Sequence, residues 1–164
     1  MIEMEEKEYR VLFVCLGNIC RSPAGEGIFK KLVKEQGLHD RIKADSAGTS
    51  GYHDGELPDP RMRQHGARRG YKFDSLSRKF TSKDFDRFDL IIAMDDNNYH
   101  NIKRLSPDLE ADKKVYRMTD FSNKYNHDHI PDPYYSGADG FELVLDLLED
   151  ACEGLLGKIK QGEL

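Results

Sequence analysis

The feature that most constrains this chain is a seven-residue run from Tyr9 to Cys15, reading Tyr-Arg-Val-Leu-Phe-Val-Cys. A β-branched and aromatic run of this kind suits a buried strand. Gly17 and Asn18 break it. After Pro23, a residue tolerated in a first helical turn, Ala24, Ile28, Phe29, Leu32 and Val33 recur at helical spacing up to Gly37. The order strand, tight loop, helix is therefore set within the first quarter of the chain.

The same alternation continues. A second strand is predicted over Ile42 to Asp45, followed by a loop rich in Gly, Ser, Pro and Asp from Ser46 to Pro60 and a helical stretch over Arg61 to Arg69. Phe88 to Met94 contains the most apolar run, Leu-Ile-Ile-Ala-Met, which fits a central parallel strand, and Lys114 to Met118 reads as a weaker fourth strand. Phe141, Val144, Leu145, Leu148, Ala151, Cys152, Leu155 and Ile159 share one face of a long closing helix. The expected fold class is α/β, a three-layer αβα sandwich with a four-stranded parallel sheet, whose ligands bind beyond the carboxyl ends of the strands. Cys15 sits at such an end.

A chain of 164 residues fits one domain, taken as residues 1–164. With 38% hydrophobic and 34% charged residues, and apolar runs too short for a bilayer, a membrane-embedded or disordered protein is not expected. Met1 to Arg10 is acidic and lacks an apolar signal core, so the expected compartment is the cytoplasm. A net charge of -5 argues against nucleic-acid binding while leaving room for a local anion site. The three cysteines, Cys15, Cys20 and Cys152, cannot all pair, so at least one thiol is free to react.

Cys15 to Ser22 reads Cys-Leu-Gly-Asn-Ile-Cys-Arg-Ser, with five residues between Cys15 and Arg21. A short loop entering a helix aims backbone N–H groups inward, forming an anion nest backed by the helix N-terminus. The planar guanidinium of Arg21 adds two parallel charge-assisted bonds to a phosphoryl group, which a lysine cannot reproduce. The same positive environment is expected to lower the pKa of Cys15 below the ~8.5 of a free cysteine, and the Ser22 hydroxyl to stabilise the thiolate and the departing sulfur. Leu16, Gly17, Asn18, Ile19 and Cys20 complete this phosphate-binding loop, with Leu16 and Ile19 at its rim. Cys20, in the same loop, is expected to form a reversible disulfide with Cys15 under oxidation, and Cys152 to pack in the core.

Val-Cys-Leu-Gly-Asn-Ile-Cys-Arg-Ser-Pro closely resembles the signature loop of the low-molecular-weight protein tyrosine phosphatases. The resemblance extends to Asp-Ser-Ala-Gly-Thr-Ser at Asp45 to Ser50, Leu-Pro-Asp-Pro-Arg at Leu57 to Arg61, Met94 and Asp95, and Asp-Pro-Tyr-Tyr at Asp132 to Tyr135. It implies phosphotyrosine hydrolysis by Cys15, Arg21 and Asp132. Asp132 is chosen from 30 acidic residues by this likeness alone, as general acid and then general base. Tyr134 and Tyr135 resemble the aromatic wall that receives the substrate ring, and Tyr52 the opposing wall. Asn18 and Ser46 resemble residues that hold the loop rigid. Some members add a histidine near Ser75, so a supporting network different from theirs, or greater reliance on Ser22, is expected. Asp95 is read equally as site support and as a helix N-cap.

The resemblance implies no cofactor and no metal. Partners are expected to be tyrosine-phosphorylated proteins, with phosphate or another oxyanion in the site, and neither nucleic acid nor membrane. The chain is expected to act as a monomer, weak self-association remaining open. His127 and His129 lack the companion spacing of a metal site. Arg61, Arg63, Arg68 and Arg69 read as a solvated basic helix face. An arsenate reductase of this fold needs further cysteines in a mobile segment, and arginine phosphatases tend to carry threonine where this chain has Ile19. A silent phosphopeptide-binding module should have lost its nucleophile or acid.

Overall fold

The computed structural model describes residues 8–164, so most of the acidic stretch read as lacking a signal core lies outside the described residues. Four parallel strands, β1 (Tyr9–Cys15), β2 (Ile42–Gly48), β3 (Leu90–Ala93) and β4 (Val115–Arg117), form one sheet in the order β2-β1-β3-β4. The helices are α1 (Arg21–Glu35), α2 (Pro60–Arg68), α3 (Asp84–Arg87), α4 (Asp96–Arg104), α5 (Leu109–Asp112) and α6 (Ala138–Lys160), with a 3₁₀ turn at Met118–Phe121.

Successive side chains of a strand point to opposite faces, and β1 uses this to build two cores. Val11, Phe13 and Cys15 join a cluster with Ala24, Ile28 and Phe29 of α1 and Phe141, Val144, Leu145 and Leu148 of α6. Leu12 and Val14 face the other way, against Phe85, Ile91, Ile102 and Val115. Helices therefore cover both faces, giving the three-layer α/β arrangement. Each fully buried aliphatic or aromatic side chain contributes about 1.5–3 kcal/mol of transfer energy, which is why the unbroken apolar runs become the central strands. Among the described residues no helix is long and apolar enough to cross a membrane.

Two boundaries differ from the expectation in ways that shape the site. β2 continues beyond Asp45 to Gly48, because Ser46, Ala47 and Gly48 pair with Phe13, Val14 and Cys15. Local propensity hides this extension, since small residues are poor strand formers and β1 supplies the pairing. Gly48 needs its missing side chain: a Cβ there would lie 2.8 Å from Leu16 O and 3.0 Å from Ser50 O. The helix α4 was not anticipated at all. Its sequence, Asp-Asn-Asn-Tyr-His-Asn-Ile-Lys-Arg, is polar and helix-poor, and Asp95 starts it by accepting a hydrogen bond from Asn98 N at 2.8 Å.

Candidate active site

The end of β1 and the start of α1 bracket the loop 16–20. Cys15 is 3% exposed, with Sγ 3.1 Å from Ser22 Oγ and accepting from Asn18 N at 3.3 Å. The N–H groups of Ile19, Cys20, Arg21 and Ser22 find no acceptor among the described residues, and α1 begins at Arg21 behind them. These are the conditions under which a helix N-terminus receives an anion.

Asn18 is the residue that makes the loop possible. It alone among the described non-glycine residues has a positive φ, of 57°, in the left-handed region that asparagine tolerates better than most residues. Its Nδ2 donates to Ser22 Oγ at 2.7 Å and Ser46 Oγ at 2.9 Å, while its Oδ1 accepts from Arg78 N at 3.0 Å. Ser46 in turn donates to Glu26 Oε1 at 2.6 Å. Glu26, 3% exposed, was missed in the sequence. The available signal was a carboxylate one helical turn after Ser22, on the same face as Phe29 and Val33.

The supporting network expected to differ near Ser75 includes two residues that follow it, Ser77 Oγ donating to Gly17 O at 3.2 Å and Arg78 N to Asn18 Oδ1 at 3.0 Å.

Arg21 is 3% exposed and tightly placed: Nη1 donates to Asp95 Oδ2 at 2.7 Å and to Ile130 O at 3.0 Å, and Nη2 lies 3.8 Å from Asp132 Oδ2. Burial opposes its charge, but the neighbouring Cys15 and the hydrogen bond and charge of Asp95 outweigh burial and hold the guanidinium protonated more firmly than usual. Both readings of Asp95 hold, since one carboxylate oxygen caps α4 while the other fixes Arg21.

Asp132 stands across from the loop with its side chain 46% exposed, and its Oδ1 accepts from Tyr134 N at 3.1 Å. A cleft of about 360 Å³ joins Cys15, Leu16, Gly17, Ile19, Cys20 and Arg21 below to Asp132, Tyr134, Tyr135, Tyr52 and His53 above. Tyr52 and Tyr135 are exposed, as rim residues are, and Tyr134 packs edge-on against Tyr135 at 5.0 Å. His53, unassigned in the sequence, lies against Gly17 and faces Glu56 Oε1 at 3.2 Å; its only signal was its place beside Tyr52.

Cys20 is a buried free thiol whose ionisation is pushed up by burial and then by Asp59 and Cys15. Cys152 lies fully within the α1 to α6 core. The arginines from Arg61 to Arg69 are a solvated face only in part: Arg61 and Arg68 are exposed, but three of the four are held by partners. Arg61 is gripped by Asp59, Arg63 donates to Pro58 O at 3.0 Å, and Arg69 bridges Glu142, Asp146 and Glu149 of α6. Charge spacing along α2 could not reveal that acidic partners from α6 and the preceding loop lie against it. His129 pairs with Asp128 at 2.6 Å on an exposed loop, and no group of three or more metal-holding side chains occurs among the described residues.

Comparison with known proteins agrees with this geometry. The family model described as low molecular weight phosphotyrosine protein phosphatase matches residues 10–163. The chain is 43% identical over 155 residues to a low molecular weight protein-tyrosine-phosphatase of Streptomyces coelicolor, covering 93% of this chain and 94% of the relative. It superimposes on the crystal structure of a protein tyrosine phosphatase from Entamoeba histolytica with Hepes in the active site, at a TM-score of 0.94 and 46% identity, covering 96% of this chain and 100% of that one. The crystal structure of YfkJ from Bacillus subtilis gives a TM-score of 0.89 at 40% identity over 96% of this chain and 98% of that one. With the match running from the first strand through the closing helix, the chain belongs to the low molecular weight phosphotyrosine protein phosphatase family.

Proposed function

We propose that the protein hydrolyses phosphotyrosine in proteins, and small aryl phosphates, through a cysteinyl-phosphate intermediate and without a metal ion. What carries this reading is one juxtaposition: a buried sulfur accepting from Asn18 N, with the Arg21 guanidinium reaching to within 3.8 Å of Asp132, the carboxyl that closes the cleft.

In the first displacement the Cys15 thiolate attacks phosphorus in line. Asp132 delivers its proton to the ester oxygen as the bond to the phenol breaks, so tyrosine leaves neutral. In the second, Asp132 takes a proton from water, which attacks phosphorus and releases inorganic phosphate and the thiolate. Arg21 and the loop N–H groups not spent within the protein hold the equatorial oxygens through both steps, supplying the charge stabilisation that phosphoryl transfer mainly requires. Ser22 donates to the sulfur as it departs. Asn18 and Ser46 keep the loop in shape. Tyr134, Tyr135 and Tyr52 flank the substrate ring, and Ile19 at the cleft wall favours that flat apolar group.

Cys20 is proposed as the partner that condenses with an oxidised Cys15 sulfenic acid, releasing water and forming a disulfide. The natural substrates are proposed to be tyrosine-phosphorylated proteins of the cytoplasm, met by a single-domain monomer.

Hydrolysis of p-nitrophenyl phosphate in the presence of a chelator tests the chemistry. Wild-type protein is expected to turn over undiminished and Cys15→Ser to be inactive. Chelator-sensitive turnover, or turnover surviving in Cys15→Ser, would remove the mechanism.

A further inference from the structure

The proposed proton donor stands on a stretch of chain that its own backbone barely fixes. Ile130 is tied to the body, its N–H donating to Met94 O at 2.9 Å and its carbonyl accepting from Arg21 at 3.0 Å. Beyond it, Ser136 N donates to Pro133 O at 2.8 Å, Gly140 N to Gly137 O at 3.0 Å, and Tyr134 N to Asp132 itself, so these bonds remain within the loop and its join to α6. The 3.8 Å separation of Arg21 and Asp132 is too long for a hydrogen bond.

The missing tether lies on α2. The Arg61 guanidinium carbon sits 5.3 Å from the centre of the Tyr134 ring and 4.9 Å from that of Phe141, at the start of α6. Both distances are within cation–π range. The guanidinium is itself held as a fork, Nε and Nη2 donating to Asp59 Oδ1 and Oδ2 at 3.0 and 2.8 Å. Asp59 is 7% exposed, caps α2 through Arg61 N at 2.8 Å, and donates its own N–H to Ile19 O at 2.7 Å. An unbroken series of contacts thus runs from the phosphate loop at Ile19, through Asp59, Arg61 and Tyr134, to the turn that carries Asp132.

We infer that Arg61 is a positioning residue for the acid step, holding the Asp132 turn at a fixed height above the phosphate loop; this rests on the reading of Asp132 as proton donor. Arg61 does not line the cleft and touches no reacting atom. Its consequence is specific. When the turn drifts, the sulfur still attacks and Arg21 still holds the phosphoryl oxygens, but the leaving oxygen departs without its proton, at a cost that rises with its basicity. A Lys at this position keeps the charge but loses both the fork to Asp59 and the flat face.

The experiment is kcat/KM across aryl phosphates from phenyl to dinitrophenyl phosphate, for wild type, Arg61→Met, Arg61→Lys, Asp132→Asn and the Arg61→Met, Asp132→Asn double variant. Displacement of an acid by about 1 Å costs roughly a hundredfold at most, so Arg61→Met is expected to lose about tenfold to a hundredfold on phenyl phosphate and less than about threefold on dinitrophenyl phosphate. Arg61→Lys should follow it, and the double variant should be no more sensitive to the leaving group than Asp132→Asn alone. Turnover of dinitrophenyl phosphate shows at once that the fold survives. Should Arg61→Met not fold, Arg61→Lys, which keeps the charge beside Asp59, is expected to show the same bias. A uniform loss across the series, or a double variant more sensitive than Asp132→Asn, would overturn the role of Arg61. A flat series for Asp132→Asn would overturn the acid assignment and this inference with it, whereas a steep one beside a flat Arg61→Met would overturn this inference alone.

Discussion

The two loops that meet above Cys15 are built by opposite means. The phosphate loop is locked between a strand end and a helix start, and its key side chain, Asn18, is buried and spends its amide on Ser22, Ser46 and Arg78. The acid loop lies at the surface. Asp150 accepts the N–H groups of Asn123, Lys124 and Tyr125 at its start, Ile130 pins its middle, and the turn carrying Asp132 leans on Tyr134 and Arg61. The difference teaches that the proposed nucleophile and phosphate clamp are part of the fold, so damage to them couples to stability. The proposed acid is attached to the fold and can be misplaced without unfolding it.

The strongest way to break that comparison is Arg21→Lys. A lysine retains the charge but loses the fork that serves Asp95 and Ile130 while facing the phosphoryl oxygens. A fall in kcat/KM of about a hundredfold to a thousandfold is expected on p-nitrophenyl phosphate, whatever the leaving group. A loss below about tenfold would mean that a point charge suffices and the fixed guanidinium is not the clamp.

A smaller effect sharpens the contrast in stability. Asn18→Ala places a β-carbon residue at φ 57° and leaves Ser46, Ser22 and the Arg78 N–H without their partner, so urea unfolding should show a loss of about 1–3 kcal/mol. Asn18→Gly should recover the backbone part only. Arg61→Met, by comparison, should move stability by less than about 1 kcal/mol. Equal losses from the two sites would erase the distinction between a loop built into the fold and one tethered to it.

How far the sequence carries this account follows the same division. β1, α1 and α6 were legible because their apolar patterns are long and meet their packing partners directly, and the Cys15 to Arg21 spacing, set between that strand and helix, pointed to the loop proposed as the anion site. Asp132 was legible only through family likeness, since a carboxylate on an exposed turn carries no pattern of its own. What escaped depends on contacts between distant segments. Ser46 lies in a strand because β1 pairs with it, Glu26 is buried where it accepts from Ser46, and Arg61 and Arg69 are paired because Asp59 and α6 place carboxylates beside them. Helix α4 escaped because one cap and a few packed side chains, rather than propensity, hold it.

The most direct test of the central claim is to catch the phosphoryl group on sulfur. Asp132→Asn given dinitrophenyl phosphate is expected still to form the proposed intermediate, because that leaving group needs no proton, and to hydrolyse it slowly for want of a base. Alkaline quenching during turnover, digestion and mass spectrometry should find one phosphoryl group on the peptide containing Cys15, and none in the Cys15→Ser protein. A phosphoryl group on any other residue, or continued turnover with no phosphopeptide formed, would contradict the account.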